Sequence, residues 1–281
     1  LKRLLVFGLG YCGRAIAAAA SAAGWEVAGT TRAGSGGSIR FDSALKEIGR
    51  ATHVLVTAAP DEAGDPVLAA YAAAIKAAPE LWWIGYLSST VVYGDRGGEW
   101  VDEDTPVAPL QPRGQRRVAA EIAWTRFADR RAVDIFRLAG IYGPTRSAFD
   151  DLRAARARRM VKPGHQFGRI HRDDIAQAVV TAMRQDRGHG LRVLNLVDDE
   201  PSESAAVVTE AASLLGVTPP REIAFADALP AMSPMARSFW ADNRKVSGAK
   251  TKAALGIAWR YPTYREGLRA ILAEERGDGL A

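Results

Sequence analysis

Three groups of residues carry the chemistry this sequence could perform. The first is in "VFGLGYCGRAIA", where Gly8, Gly10 and Gly13 stand in the spacing G-x-G-x-x-G, between an apolar run and an alanine-rich one. On a strand–turn–helix, that spacing forms a cradle for the pyrophosphate of a dinucleotide. Gly8 makes the tight turn, Gly10 lets the backbone approach the phosphates, and Gly13 lets helix pack on strand. The helix N-terminus adds unpaired N–H groups. Tyr11 and Cys12 then lie on the loop facing the ligand, Cys12 as a small packing residue rather than a redox thiol.

The second group ends the following strand, in "VAGTTR". A site that prefers NAD carries an acid there for the ribose hydroxyls. Here Thr31 and Arg32 occupy the position, and a hydroxyl and a guanidinium bond a 2′-phosphate that an acid would repel. The pair predicts NADP over NAD; the alternative is that Arg32 merely opens an exposed loop. Asp42, in "IRFDSAL", offers a carboxylate either to an adenine amino group or as a plain helix N-cap. Ala58 and Ala59 end the run "THVLVTAAP", where small side chains let a dinucleotide lie flat against backbone.

The third group is "PRGQRRVAAE", with Arg113, Arg116 and Arg117 running straight into an apolar helix. It reads as a nucleic-acid patch, a phosphate clamp, or a replacement for another residue type. The net charge of +5 permits anionic partners without demanding them. Arginines elsewhere, as in "EIAWTRFADRR", are interleaved with acids and read as solvated helix faces. With no nucleic-acid-binding motif beside them, the expected partner is a small molecule rather than DNA or RNA.

The elements that must hold these groups are legible in the hydropathy. Short apolar runs ("RLLVFGLG", "WEVAGTTR", "THVLVTAAP", "LWWIGYLSS", "AVDIFRLAG", "LRVLNLV") alternate with helical stretches. Among the latter are one opening on Asp65-Pro66, one from about 116 to 131 and one near 147–160. Continuous apolar strands alternating with helices predict a parallel sheet covered on both faces, a Rossmann-type, doubly wound α/β fold. Residues 1–145 form the expected dinucleotide-binding core, completed by about 170–200, and 146–281 a smaller, mixed C-terminal substrate lobe over the sheet's carboxyl edge. "RAGSGGS" at 32–38 reads as a mobile loop and the closing "RGDGLA" as a frayed end. No apolar run approaches the roughly 20 residues of a membrane span. The four histidines lack metal-ligand spacing, and the single cysteine suits a reducing cytoplasm.

Taken together the motifs resemble the extended short-chain dehydrogenases/reductases, the superfamily of nucleotide-sugar epimerases and dehydratases. "GLGYCG" is similar to the N-terminal fingerprint and "LSSTVVYGD" to the Ser-Ser-x-x-Val-Tyr-Gly strand end. "FRLAGIYGP", "RIHRDDIAQAV" and "VLNLVDDEPSE" resemble later family segments. The resemblance places the active-site Ser or Thr on Ser89, which would hydrogen-bond the reacting oxygen. It also implies a Tyr-x-x-x-Lys pair on the helix that carries Glu121. Counting back from Glu121, the lysine position is Arg117 and the tyrosine position is Arg113.

That departure matters because arginine, with a pKa above about 12, cannot serve as a general base near neutrality. Arg117 could still hold a ribose hydroxyl or phosphate in the lysine's place. No other proton-exchanging group is selected by the sequence: Tyr93 and Tyr142 read as packing, Tyr86 as core, and His171 as a structural helix start. Asp95 and Asp102 lie on a loop. Two readings therefore stay open, an NADP-dependent enzyme with non-standard acid/base chemistry and a non-catalytic NADP-binding sensor or partner-binding module. The chain is expected to be a monomer or homodimer.

Overall fold

The computed structural model describes residues 2–278, so the last three residues of "RGDGLA" lie outside the described residues. The first half runs β1 (Arg3–Phe7), α1 (Tyr11–Ala22), β2 (Glu26–Thr31), β3 (Ile39–Arg40), α2 (Leu45–Arg50), β4 (His53–Val56), α3 (Pro66–Ala77) and β5 (Trp83–Ser89). Then follow β6 (Trp100–Val101), α4 (Pro112–Thr125), β7 (Ala132–Leu138), β8 (Gly140–Tyr142), α5 (Ala148–Arg153), β9 (Arg159–Val161), β10 (Arg169–His171), α6 (Arg172–Arg184) and β11 (Gly190–Leu196). The C-terminal part holds α7 (Ser204–Leu215), β12 (Glu222–Ala224), α8 (Phe225–Ala228), α9 (Pro234–Ala241), β13 (Lys245–Val246), α10 (Ala249–Leu255) and α11 (Tyr264–Arg276).

Seven strands form one parallel sheet in the order β11-β7-β5-β4-β1-β2-β3. The strand order reverses between β1 and β4, and in such sheets the crevice outside the carboxyl ends at this point takes ligands. Both faces are covered. On one, Ile16 and Ala20 of α1 and Ile175 and Val179 of α6 pack on Leu4, Val6 and Phe136. On the other, Ile48, Tyr71, Ile75 and Trp124 pack on Leu5, Val54 and Ile84. Burial on both faces explains why the strands read as unbroken apolar runs instead of alternating ones.

Two helices differ from the sequence expectation. The helix expected at 116–131 is α4, which starts at Pro112 and ends at Thr125. Proline lacks the N–H that the first turn would leave unpaired, so "PRG" initiates the helix where its composition suggested a loop. The helix expected near 147–160 is only α5; a Ser147–Asp150 capping box starts it, and Ala155 turns into the left-handed region at φ 53°. The following arginine-rich segment becomes β9, paired with β12. Asp65 caps α3 as its Asp-Pro sequence predicts, accepting from the N–H groups of Val67 and Leu68.

The remaining pairs, β8/β10, β9/β12 and β6/β13, are two-stranded and parallel. β9 and β10 sit against α7 and α11, which with α5 form an apolar cluster joining Phe149, Ala211, Leu268 and Ile271 to Tyr142, whereas Val101 and Val246 of β6/β13 belong to the core on the α1/α6 face of the sheet. Among the described residues no helix is long and apolar enough to cross a membrane.

Candidate active site

The glycine loop joins β1 to α1 at the point where the strand order reverses. Gly8 adopts φ +103°, and a Cβ on Gly13 would stand 2.1 Å from the Gly8 carbonyl oxygen, so only glycine fits either position. At Gly10 nothing lies within 4 Å of where a Cβ would be, which leaves the backbone open to a ligand. The start of α1 has no side-chain cap. Its first N–H groups are therefore available to an anion. Thr57, which the sequence reading passed over, donates to the Gly8 carbonyl oxygen at 2.5 Å and ties the loop after β4 to the loop after β1. Ala58 and Ala59 follow it at the same edge, Ala58 half-buried and Ala59 exposed. The residues present fit a dinucleotide's pyrophosphate.

Cys12 is buried in the core, and burial pushes its thiol up to about 11, which leaves it a packing residue rather than a nucleophile. Tyr11 does more than face outward. Its hydroxyl donates to the Pro144 carbonyl at 2.8 Å, and the guanidiniums of Arg146 and Arg172 stand over its ring, 5.6 and 5.3 Å from the ring centre. Neither arginine was visible as a site residue in the sequence. The loop that carries Arg146 is more than 130 residues away along the chain.

At the end of β2 the structure separates Thr31 from Arg32. The Thr31 hydroxyl accepts from the Gly34 N–H at 3.0 Å and lies 2.7 Å from the Ser38 hydroxyl, which itself donates to the Ser35 carbonyl. Thr31 thus closes the 32–38 loop, and Arg32 stands exposed at its start. Asp42 is not a helix cap: it sits inside a single 3₁₀ turn (Phe41–Ser43), while α2 begins after Ala44 without a side-chain cap. Its carboxylate is held by Arg40 at 2.5 Å, a hydrogen bond that keeps its pKa below the usual range.

A cavity of about 510 Å³ opens at the carboxyl ends of β5 and β7, and Ser89, Arg113 and Arg117 all line it. Ser89 ends β5 with its hydroxyl accepting from the Val91 N–H at 3.3 Å. Its own proton remains free to be donated to a ligand. Gly114 brings α4 close: a Cβ there would stand 2.6 Å from Pro109 Cβ and 3.2 Å from the Val91 carbonyl oxygen. Arg117 is tethered through Nη1 to the Tyr86 hydroxyl at 2.9 Å and the Leu87 carbonyl at 2.8 Å. The Arg113 guanidinium stacks on Phe239 of α9 at 4.9 Å.

Beneath the cavity lies a buried polar network. Ser88 donates to Glu121 at 2.5 Å, Glu121 pairs with Arg137 at 2.8 Å, and Arg137 donates to the Tyr93 hydroxyl at 3.1 Å. Tyr93 in turn donates to Asn195 at 2.8 Å, so β5, α4, β7 and β11 are tied by side chains from four of the sequence motifs. These residues position α4; of them only Ser88 also lines the cavity.

The other titratable candidates are equally structural. Tyr86 is fully buried, and burial raises its hydroxyl to about 12 despite the neighbouring Arg117. Burial raises Tyr142 further. His171 caps α6 by accepting from the Asp173 N–H, and burial holds its pKa down to about 4. Asp242 pairs with Arg244 at 3.1 Å. The wall therefore offers hydroxyl and guanidinium donors.

No family model matches the chain. Protein YeeZ of Escherichia coli K12 is 26% identical over 93% of this chain and 97% of its own length. Among solved structures, a conserved protein of unknown function from Silicibacter pomeroyi is 40% identical and covers 98% of this chain and 99% of its own, with a TM-score of 0.88. A provisionally named NAD-dependent epimerase/dehydratase from Methylobacillus flagellatus is 26% identical over 98% and 99% of the two chains, with a TM-score of 0.77. The human epimerase family protein SDR39U1, solved with NADPH, shares the fold at 20% identity over 96% and 98%, with a TM-score of 0.77.

Proposed function

We propose that this chain, which belongs to the extended short-chain dehydrogenases/reductases of the epimerase/dehydratase type, binds NADP in preference to NAD and acts on a small molecule through a non-standard set of donors. The observations that carry the reading are the cavity shared by Ser89, Arg113 and Arg117 and a glycine loop that fits a dinucleotide, linked to that cavity by Arg146, which lines it and lies over the Tyr11 ring. Gly8, Gly10, Gly13 and the start of α1 would hold the pyrophosphate, with Tyr11 fixing that loop to the Pro144 segment. Arg32 would meet the 2′-phosphate, a reading supported by the absence of an acid at the end of β2. Thr31 would shape the loop, and Asp42, Ala58 and Ala59 would border the adenosine half. When bound, the cofactor would supply a hydride donor or acceptor. Ser89 would donate to the ligand oxygen where charge develops, and Arg117 would hold a ribose hydroxyl or that same oxygen.

Calorimetric titration of NADPH and NADH tests the cofactor half. The 2′-phosphate contact is a charge-assisted bond worth about 1.5–3 kcal/mol. Arg32→Ala should accordingly weaken NADPH by roughly 10- to 100-fold and leave NADH unchanged. Equal affinity of the intact protein for the two dinucleotides sinks the preference. A second reading, binding without turnover, is favoured by one specific feature: Arg113 and Arg117 stand in the cavity wall at the positions of the acid/base pair, and the acid of that wall, Asp242, is paired with Arg244. Single-turnover assays with carbonyl and alcohol panels separate the two. Ser89→Ala should abolish any turnover while sparing NADPH affinity.

A further inference from the structure

Arg113 and Arg117 are two cations, four residues apart on one face of α4, and both are half-buried in the cavity wall. Among the described residues no carboxylate pairs with either of them. The acid in the wall, Asp242, is turned to Arg244, and Glu121, one turn further along α4, is engaged by Arg137 and Ser88. Burial and the positive charge of Arg117 both lower the Arg113 pKa, the mark of a guanidinium without a counter-charge. Each arginine is nevertheless fixed. Arg113 stacks on Phe239, and Arg117 is anchored through Nη1 alone, which leaves its Nε and Nη2 donors for another acceptor.

Fixed, uncompensated guanidiniums facing a cavity match the geometry of an oxyanion, whose two oxygens take parallel N–H bonds from a planar fork. We propose that Arg113 and Arg117, together with the Ser89 hydroxyl, form an oxyanion-binding site, so that the ligand of this cavity carries a carboxylate or phosphate at the end nearest β5. The inference rests on the reading of the cavity as a ligand site and names the class of molecule that enters it. It also gives the arginines a role where the Tyr-x-x-x-Lys arrangement would exchange protons: they seat a charge.

Arginine-selective labelling with phenylglyoxal, followed by peptide mass mapping, tests this residue by residue on the full chain, with and without NADP. Acetate and inorganic phosphate distinguish the two anion chemistries, acetamide is the neutral control, and the exposed Arg126 is the reference site. Saturating acetate or phosphate should slow labelling of Arg113 roughly ten-fold and leave Arg126 unchanged. Arg117→Gln should remove most of that protection. The proposal is overturned if neither anion protects Arg113, if acetamide protects as well, or if Arg117→Gln leaves the protection intact. An NADP-induced thermal shift is read on the same samples. A protein stabilised by NADP whose Arg113 goes unprotected loses this inference and keeps the cofactor reading.

Discussion

Removal of the Glu121 carboxylate tests how α4 is held against the sheet. In Glu121→Ala the buried Arg137 guanidinium keeps only the Tyr93 hydroxyl, and the buried Ser88 hydroxyl loses its acceptor. Breaking a buried ion pair by deleting one partner costs about 3–5 kcal/mol, because the other charge stays behind. At about 2–4 °C per kcal/mol for a domain approaching this size, the melting temperature should fall by roughly 6–20 °C. Urea denaturation and scanning calorimetry measure both quantities. Glu121→Gln retains an acceptor for Ser88 and should lose less. Replacing both partners, with Arg137→Met added to Glu121→Ala, removes the stranded charge and should recover part of the loss, with a coupling energy of about 2 kcal/mol or more. A single-variant loss below about 1 kcal/mol, or strict additivity, refutes the network as the anchor of α4.

Two further perturbations follow from the geometry. Gly13→Ala places a methyl 2.1 Å from the Gly8 carbonyl oxygen, so the loop must open; NADPH affinity should fall at least ten-fold by titration, with a lower melting temperature. Asp198 is buried with one oxygen unpaired, and desolvation raises its pKa to about 8. A carboxyl raised in the folded state binds protons that the unfolded chain releases near pH 4, so its contribution is full below that pH and is lost as pH climbs through about 8. Asp198→Asn should therefore raise the melting temperature more at pH 8 than at pH 5, and calorimetry at the two pH values that shows no difference removes the argument.

The sheet was legible because strands buried on both faces must be apolar throughout, and the cofactor loop because glycine alone tolerates the approach of Gly13 to Gly8. The start of α4 was less legible, since Pro112 and Gly114 look like loop residues until the first-turn role of one and the close packing of the other are seen. The polar network escaped for a different reason. Tyr93, Glu121, Arg137 and Asn195 all stood in recognised motifs, but their contacts span 16, 44 and 102 residues of chain, and periodicity within a motif carries no information about such pairing. Thr57 and Arg146 were missed on the same ground.

The arginines of α4 show what the structure adds to composition. By composition alone, Arg113, Arg116 and Arg117 are equivalent members of one basic run, and the register counted from Glu121 singles out Arg113 and Arg117. In the fold, helical spacing brings Arg113 and Arg117 to the cavity wall, which Arg116 does not line. Arg137 carries the same guanidinium and is more deeply buried, yet it meets Glu121 and is electrostatically closed. The distinction between a structural arginine and a ligand-binding one therefore lies in whether a carboxylate of the chain already occupies its fork. By that criterion Arg113 and Arg117 are open, and a ligand able to close them must bring the negative charge itself.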